Sequence, residues 1–189
     1  MAAGEGTRMR PLTAHWPKPV LPIDGRPVVV HLVHELGAIC DRIVVVTGHL
    51  AEQVETLVAP LPYDLGFVRQ PPGLGTADAV LRAHAQPPYL VLAADTVYAP
   101  GALARFARQA KDADGAVGFA GGARAPLWSL GEPVHRFLDP LPGRPPHELQ
   151  DVFELAADAG ATVSAIQVGR TRGLTNPVDL VRENFPYLR

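Results

Sequence analysis

The chain has 189 residues, 47% of them hydrophobic, with a formal net charge of −2 and a single cysteine. That length and apolar content exclude a disordered chain and fit one packed domain spanning residues 1–189. The near-neutral charge excludes a broad basic face for nucleic acid, Cys40 alone excludes an internal disulfide or a cysteine zinc site, and no apolar run is long enough to cross a membrane. A cytoplasmic location follows as an expectation, and homo-oligomerisation stays open.

In chain order, residues 1–22 are rich in glycine and proline without periodicity and read as loop. Pro27 suits a first helical position, and Val29, Leu32, Val33 and Leu36 then share one helical face. Ile43 to Val46 read as a fully buried strand, residues 50–58 as a short helix and 65–69 as a strand. A helix is predicted over 76–85, a buried strand over 89–94 ending at Asp95, a helix over 102–111 and a strand over 115–120. Residues 127–130 read as a further strand. Leu149, Val152, Phe153 and Ala156 make a helical face, residues 162–168 a strand, and 177–184 a last helix capped by Asn176. Proline clusters, the last over 140–146, punctuate these elements. Strands alternating with helices predict an α/β domain: three layers, α/β/α, around a mostly parallel, Rossmann-like sheet. Ligands of such sheets sit beyond the carboxyl ends of the strands, where Asp95 lies.

The chemistry concentrates in the first segment, Ala2-Ala3-Gly4-Glu5-Gly6-Thr7-Arg8-Met9-Arg10-Pro11-Leu12. Gly4 and Gly6 lack a Cβ, so backbone N–H groups can approach a polyphosphate. Arg8 offers a forked cationic donor, and Lys18, between Pro17 and Pro19, a point charge on a stiff segment. The run matches neither the Walker pattern nor the Rossmann fingerprint. Read alone, it also fits a surface loop with two flexible glycines.

Together with Lys18-Pro19-Val20-Leu21-Pro22-Ile23 and Gly25-Arg26-Pro27, this segment closely resembles the signature of sugar-1-phosphate nucleotidyltransferases. Three further blocks follow in the family's order: Gln70-Pro71-Pro72-Gly73-Leu74-Gly75-Thr76-Ala77-Asp78-Ala79-Val80, Leu92-Ala93-Ala94-Asp95-Thr96 and Thr175-Asn176-Pro177-Val178-Asp179-Leu180. The resemblance implies that Ala3, Gly4, Gly6, Thr7 and Arg8 hold a nucleoside triphosphate. Lys18 would neutralise the α-phosphate, Gln70, Gly75 and Thr76 would meet the base, and Asp95 would hold Mg²⁺. It further implies nucleotidyl transfer from an NTP, dTTP or UTP favoured, to a sugar 1-phosphate. The resemblance leaves open a different phosphorylated acceptor, of the phosphocholine or molybdopterin type, and a weakly active nucleotide-binding regulatory module.

Three departures from the family pattern stand out. The family opens with a hydrophobic strand ending in Leu-Ala-Ala-Gly; here Met1 holds the leucine position, so the first strand is expected to be missing and the native start to lie upstream. Gly173 stands where the family places a second metal-binding Asp, which puts full activity in doubt. Residues 117–130 contain no lysine for a sugar phosphate, Arg124 being their only cation. Elsewhere the plainer readings prevail. His31 and His34 suit a solvated helix face, Asp78 and Arg82 an i, i+4 pair, Cys40 a packing position and Asp179 a surface charge. Trp16 reads equally as pocket wall or as packing.

Overall fold

The structure is a computed structural model and describes residues 1–141 and 143–185. Pro142 of the 140–146 cluster and the last four residues of the predicted domain lie outside it.

The chain starts with extended residues and three single 3₁₀ turns, then a two-residue hairpin, β1 (Pro22–Ile23) and β2 (Arg26–Pro27). Helix α1 (Val28–Gly37) is followed by β3 (Ile43–Thr47), α2 (Ala51–Val58), β4 (Leu65–Arg69), α3 (Thr76–Arg82) and β5 (Tyr89–Leu92). Next come β6 (Thr96–Tyr98), α4 (Ala102–Gln109), β7 (Gly115–Ala120), β8 (Ala123–Leu130) and α5 (Glu132–His135). The remaining elements are α6 (Leu149–Asp158), β9 (Val163–Gln167), β10 (Thr171–Gly173) and α7 (Pro177–Asn184).

Two half-sheets make the middle layer. β3 and β4 pair in parallel, and the other half has the order β5-β8-β7-β9. Only β8 runs against the rest, between β5 and β7, so the sheet is mixed but has one dominant direction. The predicted α/β class and Rossmann-like layering therefore hold. Side chains alternate across the layer as a strand requires. From β5, Leu92 joins the core under α1, α2 and α4, while Val91 joins the core under α3, α5 and α6.

Several boundaries differ from the sequence reading, each for a local reason. Pro27 belongs to β2 and caps α1 rather than opening it. The β1–β2 turn is Asp24-Gly25, both at positive φ (52° and 72°), the geometry of a type I′ hairpin inside a segment adjoining the predicted loop. β8 is twice as long as predicted because Gly121 and Gly122, at φ 57° and 82°, fold it straight back from β7. Asn176 caps α7 as expected. Asp179, read as a surface charge, closes the capping box instead by accepting from the Thr175 and Asn176 N–H groups.

Residues Met1 to Ala3 join the two half-sheets. Ala2 N–H donates to Val46 O (2.7 Å) on the β3 side, the Met1 amine donates to Leu92 O (2.7 Å), and Ala94 N–H returns to Met1 O (2.8 Å). Among the described residues no strand lies between the facing edges of β3 and β5 beyond this junction; each pairs with a neighbour on its other side only. The gap is a cavity of about 880 Å³, walled by Val29, Leu32 and Val33 of α1 on one face and Ala79 and Val80 of α3 on the other. Its shape is that of a strand: two backbone edges at the sides and apolar helices above and below.

Two predictions follow from this gap. A chain lengthened by five apolar residues ahead of Met1 spans roughly 16 Å at ~3.3 Å per residue and pairs both edges. It melts ~5 °C or more above a chain carrying a Gly/Ser extension of equal length, since each kcal/mol shifts Tm by ~2–4 °C at this size; equal melting temperatures would show that the gap does not take a strand. The second concerns the Met1 amine, which burial pushes down to about 6, against the opposing pull of the Asp95 carboxylate. A base with a lowered folded pKa is neutral when folded. Its favourable state is complete above pH 8 and is lost as pH falls through 6, a change of roughly 2–3 kcal/mol. Urea unfolding at pH 8 and pH 6 reads this loss, and N-terminal acetylation abolishes that part of the pH dependence.

Candidate active site

The glycine loop leaves the joined half-sheets at Ala3, whose carbonyl accepts from His49 N–H (3.2 Å). Gly48 must lack a Cβ here, because one would stand 2.6 Å from Ala3 O. Gly6 then turns the chain at φ 62°, and its carbonyl accepts both Met9 N–H (2.8 Å) and the Thr13 hydroxyl (2.9 Å). Met9 is wholly buried and anchors the loop in the core. His49 Nε2 donates to Thr13 O (2.7 Å), tying the far side of the loop to the segment after β3. Pinned at both ends, the loop turns Gly4 to Arg8 toward one cleft.

Lys18 starts a 3₁₀ turn, Lys18–Val20, between two prolines that stiffen it. Its Nζ lies 2.5 Å from Asp95 Oδ2. Asp95 follows β5, and its other oxygen accepts from the Thr96 hydroxyl (3.0 Å). The two charged side chains are 13% and 32% exposed, so the pair is shielded yet open to a ligand from the cleft side. The segment after β10 closes on the same point: Leu174 N–H donates to Asp95 O (3.0 Å), and Gly173 pairs with Thr96. A Cβ on Gly173 would meet the Thr96 hydroxyl at 3.3 Å, so an acidic side chain there would stand beside Asp95; glycine supplies no ligand.

The third wall comes from the stretch after β4. Gln70 N–H extends the parallel ladder to Thr47 O (2.8 Å), which fixes where the side chain leaves the sheet. The Thr76 hydroxyl is fully engaged, donating to Glu148 (2.7 Å) and accepting from Leu149 N–H (2.7 Å). A Cβ on Gly75 would lie 2.3 Å from His147 O, so this glycine is required by the packing of residue 147, not by the cleft.

All ten residues singled out from the sequence line this one cleft of about 540 Å³: Ala3, Gly4, Gly6, Thr7, Arg8, Lys18, Gln70, Gly75, Thr76 and Asp95. Trp16 does not line it; it is half exposed and meets His15 edge to face. Arg124 lies 3.9 Å from Glu154, also outside the lining. His31 and His34 bond to Ile23 O and to the Tyr63 hydroxyl. Glu5, Leu74 and Thr175 line the cleft without having been singled out. Asp78, read only as half of an i, i+4 pair, makes that pair with Arg82 (2.6 Å) and also reaches Gln70.

Residues 1–170 match the family described as the MobA-like NTP transferase domain. The chain belongs to the MobA-like NTP transferase family. Among curated relatives it is similar to the bifunctional protein GlmU of Rhodospirillum rubrum, 49% identical over 84 residues, which are 44% of this chain and 17% of that protein. GlmU of Methanococcus maripaludis is 31% identical over 100 residues, 52% of this chain and 24% of that protein. The matches thus cover a quarter or less of those relatives. Solved structures share the fold. UDP-glucose pyrophosphorylase from Acinetobacter baumannii has a TM-score of 0.83 at 18% identity, covering 98% of this chain and 90% of that one. The inositol-1-phosphate CTP transferase of T. maritima has a TM-score of 0.77 at 17% identity, covering 94% and 88%. The resemblance to nucleotidyltransferases read from the four blocks is borne out, and the MobA-like NTP transferase fold carries them to a single cleft.

The two loop glycines differ in a way thermal unfolding can read. A Cβ on Gly6 would sit at positive φ and 3.0 Å from Thr13 Cγ2, whereas a Cβ on Gly4 would meet nothing within 4 Å. Gly6→Ala is expected to cost ~1–2 kcal/mol and lower Tm by several degrees, while Gly4→Ala leaves Tm unchanged.

Proposed function

We propose that this chain transfers a nucleotidyl group from an NTP, UTP or dTTP favoured, to a sugar 1-phosphate, releasing pyrophosphate in a Mg²⁺-dependent reaction in the cytoplasm. The observation that carries the proposal is the Lys18–Asp95 pair at 2.5 Å, set under a glycine loop in a cleft that also contains Gln70. A polyphosphate needs backbone donors, a cation and a carboxylate able to share a divalent ion, and those groups converge here.

Among the described residues no three His, Cys, Asp or Glu side chains cluster tightly enough to cage a metal. Mg²⁺ needs no such cage. It keeps waters and takes phosphate oxygens beside one or two carboxylates, and Asp95, partly exposed in the cleft, fits that requirement. A Mg²⁺ held by Asp95 would neutralise phosphate charge.

The chain's own residues do the rest. The amides from Gly4 to Arg8 would hold the phosphates, and Arg8 would meet their oxygens with a forked donor. Lys18 would leave Asp95 for the α-phosphate as charge builds on it. An oxygen of the acceptor phosphate attacks the α-phosphorus, the new O–P bond forms, and the bond to the β-phosphate oxygen breaks with its electron pair leaving on pyrophosphate. No covalent protein intermediate is involved; positioning and charge stabilisation lower the barrier.

Gly173 favours a second reading, a nucleotide-binding module with little turnover, because position 173 supplies no side chain to join Asp95 as a second ligand. A thermal-shift screen of ATP, GTP, CTP, UTP and dTTP with Mg²⁺, followed by pyrophosphate release with a panel of sugar 1-phosphates, separates the readings. The transferase predicts a Tm rise with UTP or dTTP and release with at least one acceptor, abolished in Asp95→Asn. A Tm rise without release points to the binding module. No Tm rise with any NTP sinks both.

A further inference from the structure

The Gln70 side chain carries more information than its place in the cleft. Its amide nitrogen donates twice, to Gly75 O (2.8 Å) and to Asp78 Oδ2 (2.9 Å). Both partners are pure acceptors: a backbone carbonyl and a carboxylate. The nitrogen has only two hydrogens, so both are spent, and the amide cannot be turned over without setting its oxygen against two other oxygens. The orientation is therefore dictated by chemistry. Asp78 is in turn held by Arg82 Nε at 2.6 Å, and its side chain is 14% exposed. Burial pushes the Asp78 carboxyl up, but hydrogen bonds from Arg82 and Gln70 and the Arg82 charge outweigh it, leaving it below the ordinary carboxylate range. It is ionised at neutral pH and can only accept.

What is left for the cleft is the amide oxygen. Gln70 lines the cleft and Asp78 does not. No buried side-chain oxygen or nitrogen among the described residues lacks a partner, and no protein group bonds Gln70 Oε1. The oxygen is thus accessible, and it presents an acceptor with no donor beside it.

We propose that Asp78 is a positioning residue for specificity: it holds the Gln70 amide with its oxygen toward the ligand. With the ring nitrogen of the base edge set against that oxygen, the site selects nucleobases that present a ring N–H there (uracil, thymine, guanine) over those that present a bare ring nitrogen (cytosine, adenine). This rests on the reading of the cleft as a nucleotide site with Gln70 at the base. The mechanism is exclusion as much as attraction. A bare ring nitrogen placed against Gln70 Oε1 loses its water and gains a repulsive lone pair, and an unpaired buried acceptor is penalised more than a good bond is rewarded.

The test has one arm without nucleotide and one with it. In the ligand-free chain, ¹⁵N-edited NMR should find both Gln70 side-chain N–H protons protected from exchange in the wild type and in Asp78→Asn, which keeps an acceptor. Protection of the Asp78-facing proton is lost in Asp78→Leu. In the second arm, the affinities for UTP and CTP are compared by thermal shift. Asp78→Leu removes one of the two acceptors that oppose the turned amide, so that orientation gains population and the UTP:CTP ratio falls at least ~fivefold, with CTP gaining in absolute terms; Asp78→Asn keeps the wild-type ratio. Arg82→Met, which loses the ion pair but keeps the Asp78–Gln70 bond, melts lower without moving the ratio, and so separates a structural role from a positioning one. A folded Asp78→Leu chain with both protons still protected overturns the orientation argument. Lost protection with an unchanged ratio overturns the specificity role and leaves the nucleotide reading standing. A wild-type chain that binds neither nucleotide overturns that reading and this proposal with it.

Discussion

The site depends on three backbone hydrogen bonds made by the first two residues. Met1 and Ala2 bond to Leu92, Ala94 and Val46, which lie on the two sides of the junction, and among the described residues no other backbone segment bridges β3 to β5. Asp95, Gln70 and the glycine loop are placed in the cleft by that junction. β5 delivers Asp95 on one side of it, β3 and β4 deliver Gln70 on the other, and the glycine loop leaves from its end. Because β3 and β5 run in the same direction, their carboxyl ends lie side by side. A loop leaving between them meets both Asp95 and Gln70 without crossing the sheet. The apolar cavity on the other side of the junction is the same arrangement seen from the amino ends, where the edges run on without a strand to pair.

Charge in the cleft is arranged for exchange rather than for rest. Lys18 and Asp95 neutralise each other across 2.5 Å, which makes a partly shielded pair tolerable. Arg8, across the loop, pairs with no acid among the described residues. In the proposed reading, a polyphosphate would offer both cations better partners and would leave the carboxylate for a divalent ion. The prolines flanking Lys18 matter for this. A lysine on a flexible segment would give up backbone entropy on each capture, whereas here the backbone is already fixed.

Much of this was legible from the residues. The periods of α1, β3 and α6 and the apolar run of β5 announce themselves, because each element buries one clear face. The ten site residues could be named because they fall in short contiguous blocks, where loop, cation and carboxylate each have their own chemistry. The misses are of two kinds. β6, β10 and the first half of β8 carry no apolar alternation: Ala123-Arg124-Ala125-Pro126 gives a period-2 reading nothing to hold, and only Gly121-Gly122 signals the turn. The Asp24-Gly25 turn of the first hairpin was a readable signal, passed over beside a long loop. The second kind is distance along the chain. Thr76 and Glu148 are 72 residues apart, and nothing local in either foretells their bond.

That bond changes the explanation of the turn at Gly75 and Thr76. A glycine and a threonine in such a place suggest a backbone laid bare for a ligand. Instead, Leu74 O accepts from His147 N–H, Ala77 N–H donates to His147 O, and the Thr76 hydroxyl links Glu148 to Leu149 N–H. The turn is thus clamped from behind by the entry to α6, and Gly75 has no Cβ because the clamp leaves no room for one. A turn held in this way presents a fixed face to the cleft, and the Gly75 carbonyl, one of the two acceptors on the Gln70 amide, is fixed with it. The second acceptor sits on α3, which starts from the same clamped turn. Both constraints on Gln70 are therefore backed by residues 147–149, the second with the help of Arg82, so the proline-rich segment that precedes them, which reads as mere punctuation, leads into the wall behind the Gly75 turn.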